Sequence, residues 1–355
     1  MEAKCLLGQK IERIDMKFAL IICTYNRPMS IARLLVSVER QNLIPDEIVV
    51  VDGSHEKDET LANNNFKVPL TYYHVSETDR GLTKQRNFGL SKVSPDMDVI
   101  CFLDDDVILD DNYFKELINT FELDPRTMGV GGYITNEVKW FQNSGQRESL
   151  KRGKFYFDGF YRQLPLRFKL RKLLGLFPDV LPGKMPKFGH GLSVSFLPPS
   201  GKVYPVEMLM GGVAAYKKSL FDKIQFSEFF QGYGLYEDAD FSLRAAQLGK
   251  LYINTNAQLE HHHEPAGRPN MFKYGRMVVR NGYYVWRVKN PKPVLCDRFK
   301  WHSITILLWT IRAINILTGP NRSGALMETL GRKMGWLSLW FNPPKEKTRS
   351  TKHKV

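Results

Sequence analysis

Cysteine is scarce in this chain: Cys5, Cys23, Cys101 and Cys296 are the four among 355 residues, and they lie far apart. No disulfide framework is implied, and Cys23 and Cys101 sit inside apolar runs, where the thiol behaves as a small hydrophobe. Low-complexity blocks and solenoid-length repeats are missing, which excludes disordered arrays and repeat architectures. There is no secretory leader layout either: FALIICTY is too short for a hydrophobic segment with a cleavage site and runs straight into NRP, so a cytoplasmic location is expected. The most apolar stretch, WHSITILLWTIRAINIL (301–317), is broken by Arg312 and Asn315 and falls short of the roughly 20 residues that cross a bilayer. Acidic residues are sparse in two places: residues 268–355 hold 18 Lys and Arg against 3 Asp and Glu, and residues 151–187 hold 10 against 2. The formal net charge of +14 is therefore confined to these segments, and the rest of the chain carries a net −9.

What is present suits a globular protein, since 43% hydrophobic and 12% aromatic residues can fill the core of a large domain with an appendage. Phe18–Cys23 reads as a buried strand, followed by a loop (TYNRP) and a helix with Ile31, Leu34, Leu35 and Val38 on one face and Pro28 near its first turn. EIVVVDGS (47–54), PLTYYHV (69–75) and DVICFL (98–103) read as further strands, and GLTKQRNFGL (81–90) as a short helix. Strands alternating with helices, each continuously apolar, predict a mostly parallel sheet covered on both faces, with ligands bound beyond the carboxyl ends of the strands. Thr24–Arg27, Asp52 and Asp104–Asp106 all follow strand ends and should share one rim. Three adjacent aspartates either form a solvated turn or cap, or meet a cation. A calcium loop is excluded, because Ile108 and Leu109 stand where a ligand and a glycine are required. A divalent ion shared with a phosphate ligand, needing only one or two carboxylates, remains.

These segments, taken together, resemble glycosyltransferase family 2 of the bacterial polysaccharide type. The matching pieces are IICTYNRP (21–28), EIVVVDGS (47–54), RGLTKQRNFGL (80–90), CFLDDDV (101–107), LMGGVAAYKKSLF (209–221) and GLYEDADFSLRAAQLG (234–249), in the family's order. The resemblance implies the α/β nucleotide-sugar-binding fold called GT-A, with a mostly parallel central sheet flanked by helices. It places the catalytic domain at 1–290, with a helical C-terminal extension at 291–355. It also implies an inverting transfer from a nucleotide-sugar, aided by Mn²⁺ or Mg²⁺.

By the same resemblance, Asp52 would accept a hydrogen bond from the donor base, with Thr24, Tyr25 and Arg27 around it; Asp52 can also be read as an Asx turn. Asp104 and Asp105 would face the ribose and the metal shell, and Asp106 would ligate the ion. Lys84 and Arg86 could meet the diphosphate or be ordinary helix charges. Gly211 and Gly212 would let the backbone approach the donor sugar. Asp238 would be the catalytic base, with Asp240 the substitute and Glu237 contacting the acceptor, although acidic residues in a helix's first turn are favoured by its dipole in any case. In LEHHHEP (259–265), His261 would complete the metal site, and in an extended segment His263 points to the same side while His262 does not.

No glutamine begins the Q-x-x-R-W motif of the family's processive members, so one sugar per encounter is expected. Residues 135–205, the least family-like part, are expected to form an acceptor-side insertion. The segments 301–317 and 326–341 with the basic tail suit amphipathic helices in peripheral contact with an anionic membrane, or helices that close the fold or make a homodimer. A saccharide or lipid-linked acceptor would account for the basic and apolar surfaces. Two rival readings are a nucleic-acid-binding protein, which no recognised module supports, and a sugar-phosphate nucleotidyltransferase, against which the missing Gly-rich N-terminal loop counts.

Overall fold

The computed structural model describes residues 16–62, 67–143, 153–263 and 270–345. Parts of three expectations therefore lie outside the described residues: 144–152 of the insertion, 264–265 of the histidine stretch, and the basic tail from 346 onward.

In chain order the elements are β1 (Phe18–Thr24), α1 (Pro28–Glu39), β2 (Glu47–Asp52), α2 (Glu59–Ala62), β3 (Leu70–His74), α3 (Leu82–Leu90), β4 (Val99–Asp104) and β5 (Val107–Leu109). They continue with α4 (Tyr113–Asn119), β6 (Thr127–Ile134), β7 (Phe141–Gln142), β8 (Lys154–Phe157), β9 (Phe160–Gln163), α5 (Leu166–Leu173), β10 (Val203–Val206) and β11 (Val213–Lys217). The last five are α6 (Glu237–Ala245), β12 (Lys250–His261), α7 (Met271–Lys289), α8 (Leu295–Thr318) and α9 (Arg322–Phe341).

Among the described residues the main sheet has nine strands in the order β10-β12-β6-β11-β4-β1-β2-β3, with β5 joined to β12. The apolar segments expected as strands pair in parallel, β1 with β2 and β4, and β2 with β3. Beyond β4 the direction reverses at β11, which is antiparallel to both β4 and β6, and again at β10 and β5, which are antiparallel to β12. Alternate residues of β1 serve opposite faces. Phe18, Leu20 and Ile22 join Ile31, Leu34, Leu35 and Val38 of α1 in one core, whereas Ala19 and Ile21 join Phe102, Phe226 and Phe241 in the other. Continuous hydrophobicity is what a strand buried on both faces requires.

The insertion forms a small antiparallel sheet, β7-β9-β8, and then α5. The two C-terminal segments are helical, α8 with 24 residues and α9 with 20, and α9 packs against α7. Contact there is backbone to backbone: a Cβ on Gly331 would lie 2.0 Å from the Phe272 carbonyl oxygen, and one on Gly275 would lie 2.2 Å from that of Glu328. Among the described residues no helix is long and apolar enough to cross a membrane.

Candidate active site

The strand ends build one rim, as expected of a parallel sheet. β4 delivers Asp104 at its last position, and the chain turns at once through Asp105 and Asp106 into β5. This turn sorts the three aspartates. Asp105 is turned inward, 3% exposed, and accepts hydrogen bonds from Thr24 Oγ1 at 2.7 Å and Arg27 Nη1 at 2.8 Å. Burial pushes its carboxyl up to about 6, against the pull of Arg27 and Thr24. Asp104 and Asp106 each bring a carboxylate oxygen within 4.8 Å of the other and of a His261 ring nitrogen. Asp104 thus stands with Asp106 among the ligand candidates, and Asp105, expected at the ribose and metal shell, holds the turn from behind.

His261 arrives from more than 150 positions away because β5 pairs antiparallel with the end of β12, setting His261 opposite Val107. The His262 amide donates to the Asp106 carbonyl at 2.8 Å. Asn136 exchanges two hydrogen bonds of 3.0 Å with the His261 backbone. The His261 ring lies 3.0 Å from Asp106 Oδ1 through Nε2 and 3.0 Å from Glu137 Oε1 through Nδ1. Burial alone would lower its pKa, but the bonds to Asp106 and Glu137 prevail and push it up to about 10. The rings of His261 and His263 are 4.0 Å apart, and His262 pairs with Glu260 instead. Two carboxylates and an imidazole are donors that Mn²⁺ accepts readily, and the carboxylates suit Mg²⁺, with phosphate and water completing the shell. The residues present fit such an ion.

Beside this rim lies an open cleft of about 560 Å³, lined by Thr24, Tyr25, Arg27, Arg80, Tyr233 and Lys273 along with the aspartates. Tyr25 hydrogen-bonds His55 at 3.0 Å and carries the Arg80 guanidinium over its ring. Asp52 is buried rather than on the cleft wall: one oxygen accepts from the Ser54 amide and hydroxyl, the other from the Tyr72 hydroxyl at 2.6 Å. The Asx-turn reading therefore describes its contacts. Lys84 folds back on the Thr78 carbonyl at 2.5 Å and does not line the cleft.

Arg86 and Glu237, expected at the diphosphate and the acceptor, are instead bonded to each other inside the protein. Arg86 also lies 3.6 Å from Asp104 and over the rings of Phe102 and Phe226. A buried guanidinium requires a counter-charge, and Glu237 supplies it. Burial raises the Glu237 carboxyl's pKa, against the pull of Arg86. Gly211 makes room for this linkage and Gly212 for Asp104. A Cβ on Gly211 would lie 2.5 Å from Glu237 Oε1, and one on Gly212 would lie 2.0 Å from Asp104 Oδ2.

Asp238 opens α6 on the far side of the same glycines. It accepts from the Ala239 amide at 2.7 Å and the Gly211 amide at 3.4 Å, and burial raises its pKa. Asp240, its substitute, is fully buried and paired with Arg244 at 2.6 Å, so it faces no cleft. Asp238 also borders a second, largely apolar chamber of about 370 Å³.

Sequence reasoning passed over three contributors. Gln85 donates to the carbonyls of Thr24 and Val51 at 3.0 and 2.9 Å, tying β1 to β2 at the rim. Its signal was an amide between two charges on a helix flanking the sheet. Arg80 donates to the Gly53 carbonyl at 2.6 Å. Glu137, beside His261 and His263, sits in the segment least like the family, where no pattern marked it.

The parallel strands end at a shared carboxylate rim, the α/β arrangement that the sequence predicts. Residues 19–181 match the family model described as glycosyl transferase family 2. Among curated proteins it is similar to glucosyl-dolichyl phosphate glucuronosyltransferase of Haloferax volcanii, 29% identical over 34% of this chain and 38% of that protein. It is also similar to O-antigen chain rhamnosyltransferase RfbN of Salmonella typhimurium, 34% identical over 33% of this chain and 37% of that protein. A third relative, the uncharacterized glycosyltransferase YwdF of Bacillus subtilis, is 26% identical over 42% of this chain and 53% of that protein. The matched stretches thus span between about two fifths and half of these relatives. The solved structure of GalNAc-T7 with UDP, GalNAc and Mn²⁺ is 20% identical, with a TM-score of 0.47, covering 74% of this chain and 47% of that one.

Proposed function

We propose that this chain moves one sugar from a nucleotide-sugar to an acceptor hydroxyl, with inversion and with a divalent cation, in the assembly of a surface polysaccharide or glycolipid. The observation that carries the reading is the convergence of Asp104, Asp106 and His261 at the strand ends, with Asp238 across Gly211 and Gly212. Asp104, Asp106 and His261 would hold Mn²⁺ or Mg²⁺, which supplies Lewis-acid stabilisation of the negative charge on a leaving diphosphate. Thr24 and Arg27 hold Asp105 and so fix the turn that presents both metal-binding aspartates. Tyr25, Arg27 and Arg80 wall the cleft for the nucleotide end of the donor. Arg86 and Glu237 position Asp104 from behind. Asp238 takes the proton of the attacking hydroxyl, and its raised pKa makes it a stronger base than an exposed carboxylate. One base and a single displacement give inversion without a covalent intermediate.

The relatives' printed names, one acting on a dolichyl phosphate sugar and one on an O-antigen chain, support a glycolipid or polysaccharide acceptor. The basic, partly apolar C-terminal helices suit peripheral contact with an anionic membrane at its cytoplasmic face.

The test is a melting-temperature panel of nucleoside diphosphates and nucleotide-sugars with and without Mn²⁺. One nucleotide should raise the melting temperature only with the metal, and Asp106→Ala should abolish that shift. If no nucleotide raises it, the donor-site assignment is wrong. Asp238→Asn should keep the shift and lower transfer about 100-fold or more, the scale of a general base.

A further inference from the structure

The chamber beside Asp238 carries features that the donor reading does not use. It lies between α5, the loop before β11, α6, α7 and α8, and its walls are mostly apolar, including Phe168, Leu209, Val279, Trp286, Trp301 and Leu308. A purely hydrophobic pocket in this place could be packing space, but two unneutralised cations line it. Arg171 is 3% exposed and donates only to carbonyls, that of Leu176 through Nε at 3.2 Å and that of His190 through Nη2 at 2.6 Å. Arg167, one turn earlier on α5, stacks on Phe168. Neither has a carboxylate partner among the described residues. Arg332, which also lines the chamber, shares Glu328, its only acidic partner among the described residues, with Arg312, so that corner also keeps an excess positive charge. A guanidinium buried against apolar side chains with no counter-ion is costly unless a ligand brings the anion.

Resting on the proposed function, we propose that this chamber is the acceptor site and that it takes a lipid-borne saccharide whose phosphate meets Arg171 and Arg167 while its apolar part lies along Phe168, Val279 and Trp301. The two demands coincide in one molecule: the apolar lining excludes a free sugar phosphate, which would gain nothing from those walls, and the paired arginines disfavour an uncharged lipid. Asp238, which lines the chamber, is the carboxylate that the acceptor hydroxyl would meet. Basic α5, which lines the chamber with Arg167, Phe168 and Arg171, also exposes Leu166, Leu173 and Leu174 beside its arginines and lysines, the same amphipathic character.

Gly282 of α7 offers a clean obstruction, because it lines the chamber and a Cβ there would touch only Tyr236 at 3.8 Å. Dodecyl phosphate below its micelle concentration serves as the probe, with dodecanol and inorganic phosphate as controls, read by quenching of tryptophan fluorescence. Dodecyl phosphate should bind saturably, inorganic phosphate should not, and dodecanol should bind about tenfold more weakly, as expected when a charge-assisted contact is missing. Arg171→Met and Arg167→Ala should each weaken the probe about tenfold, and Gly282→Leu should abolish its binding, while the Mn²⁺-dependent nucleotide shift persists in all three. Equal binding of dodecyl phosphate and dodecanol, or unchanged binding in Arg167→Ala and Gly282→Leu, would overturn the acceptor assignment. Loss of the nucleotide shift in the unaltered protein would instead overturn the donor reading.

Discussion

Gly212 shows how much one missing side chain can matter. The space its Cβ would fill is taken by an Asp104 carboxylate oxygen, and the Asp104 amide donates to the Gly212 carbonyl at 3.0 Å. Gly212→Ala should therefore displace Asp104 and weaken Mn²⁺ binding about tenfold or more, the scale of altered support around a metal ligand, with little loss of melting temperature. Titration calorimetry with Mn²⁺ and nucleotide would check it. His190 offers a second test. It occupies a left-handed conformation at φ 53° near Thr305 and Trp301, and burial together with Arg171 pushes its imidazole down to about 3. An unfolded chain binds a proton there below about pH 6.5, whereas the native state does not until far lower pH. Stability from this group is thus full above pH 6.5 and lost on acidification, by roughly 1 kcal/mol per pH unit. In His190→Asn, which tolerates the positive φ, the melting temperature should fall less steeply between pH 6.5 and pH 5.

Among the elements, the α7 and α9 pair is held at unusually short range by Gly275, Gly331 and Gly335. The periodicity of 326–341 announces a helix with an apolar face, but not that this face rests on backbone atoms. Gly331→Leu should force the two helices apart and cost about 1–3 kcal/mol, as overpacking does. A urea unfolding series would show it as a lowered midpoint. The same variant should also disturb the chamber, since Val278 and Val279 line it from α7. Strands β1, β2 and β4 were legible because burial on both faces leaves a continuous apolar run. Short β5 and the two-residue β7 were not, because three residues or fewer carry no period.

For the molecule as a whole, charge and apolar exposure are segregated. Leu295, Phe299, Leu317, Trp340 and Phe341 are all more than 60% exposed on α8 and α9, within the segment that holds most of the positive charge. If these helices meet an anionic surface, the chain should co-sediment with vesicles containing anionic phospholipid and much less with neutral ones. Binding should also weaken as salt rises from about 0.1 M to about 1 M, over which the screening length shrinks from about 10 Å to about 3 Å. Equal sedimentation with both vesicle types would reject the electrostatic part.

The linear order of residues already carried the parallel sheet, the shared rim of Thr24, Arg27 and the aspartates, and the ordered segments that resemble those of family 2 glycosyltransferases. Each of these is written in local periods or in residues next to strand ends. Which carboxylates face one another was not so written. Asp104 and Asp106 are separated from Asp105 by the geometry of a turn, His261 reaches them through the pairing of β5 with β12, and Arg86 is withdrawn from the cleft because Glu237 of a distant helix neutralises it. Electrostatic partnership and cavity shape arise only when remote segments pack, and that packing has no signature at the spacing of neighbouring residues.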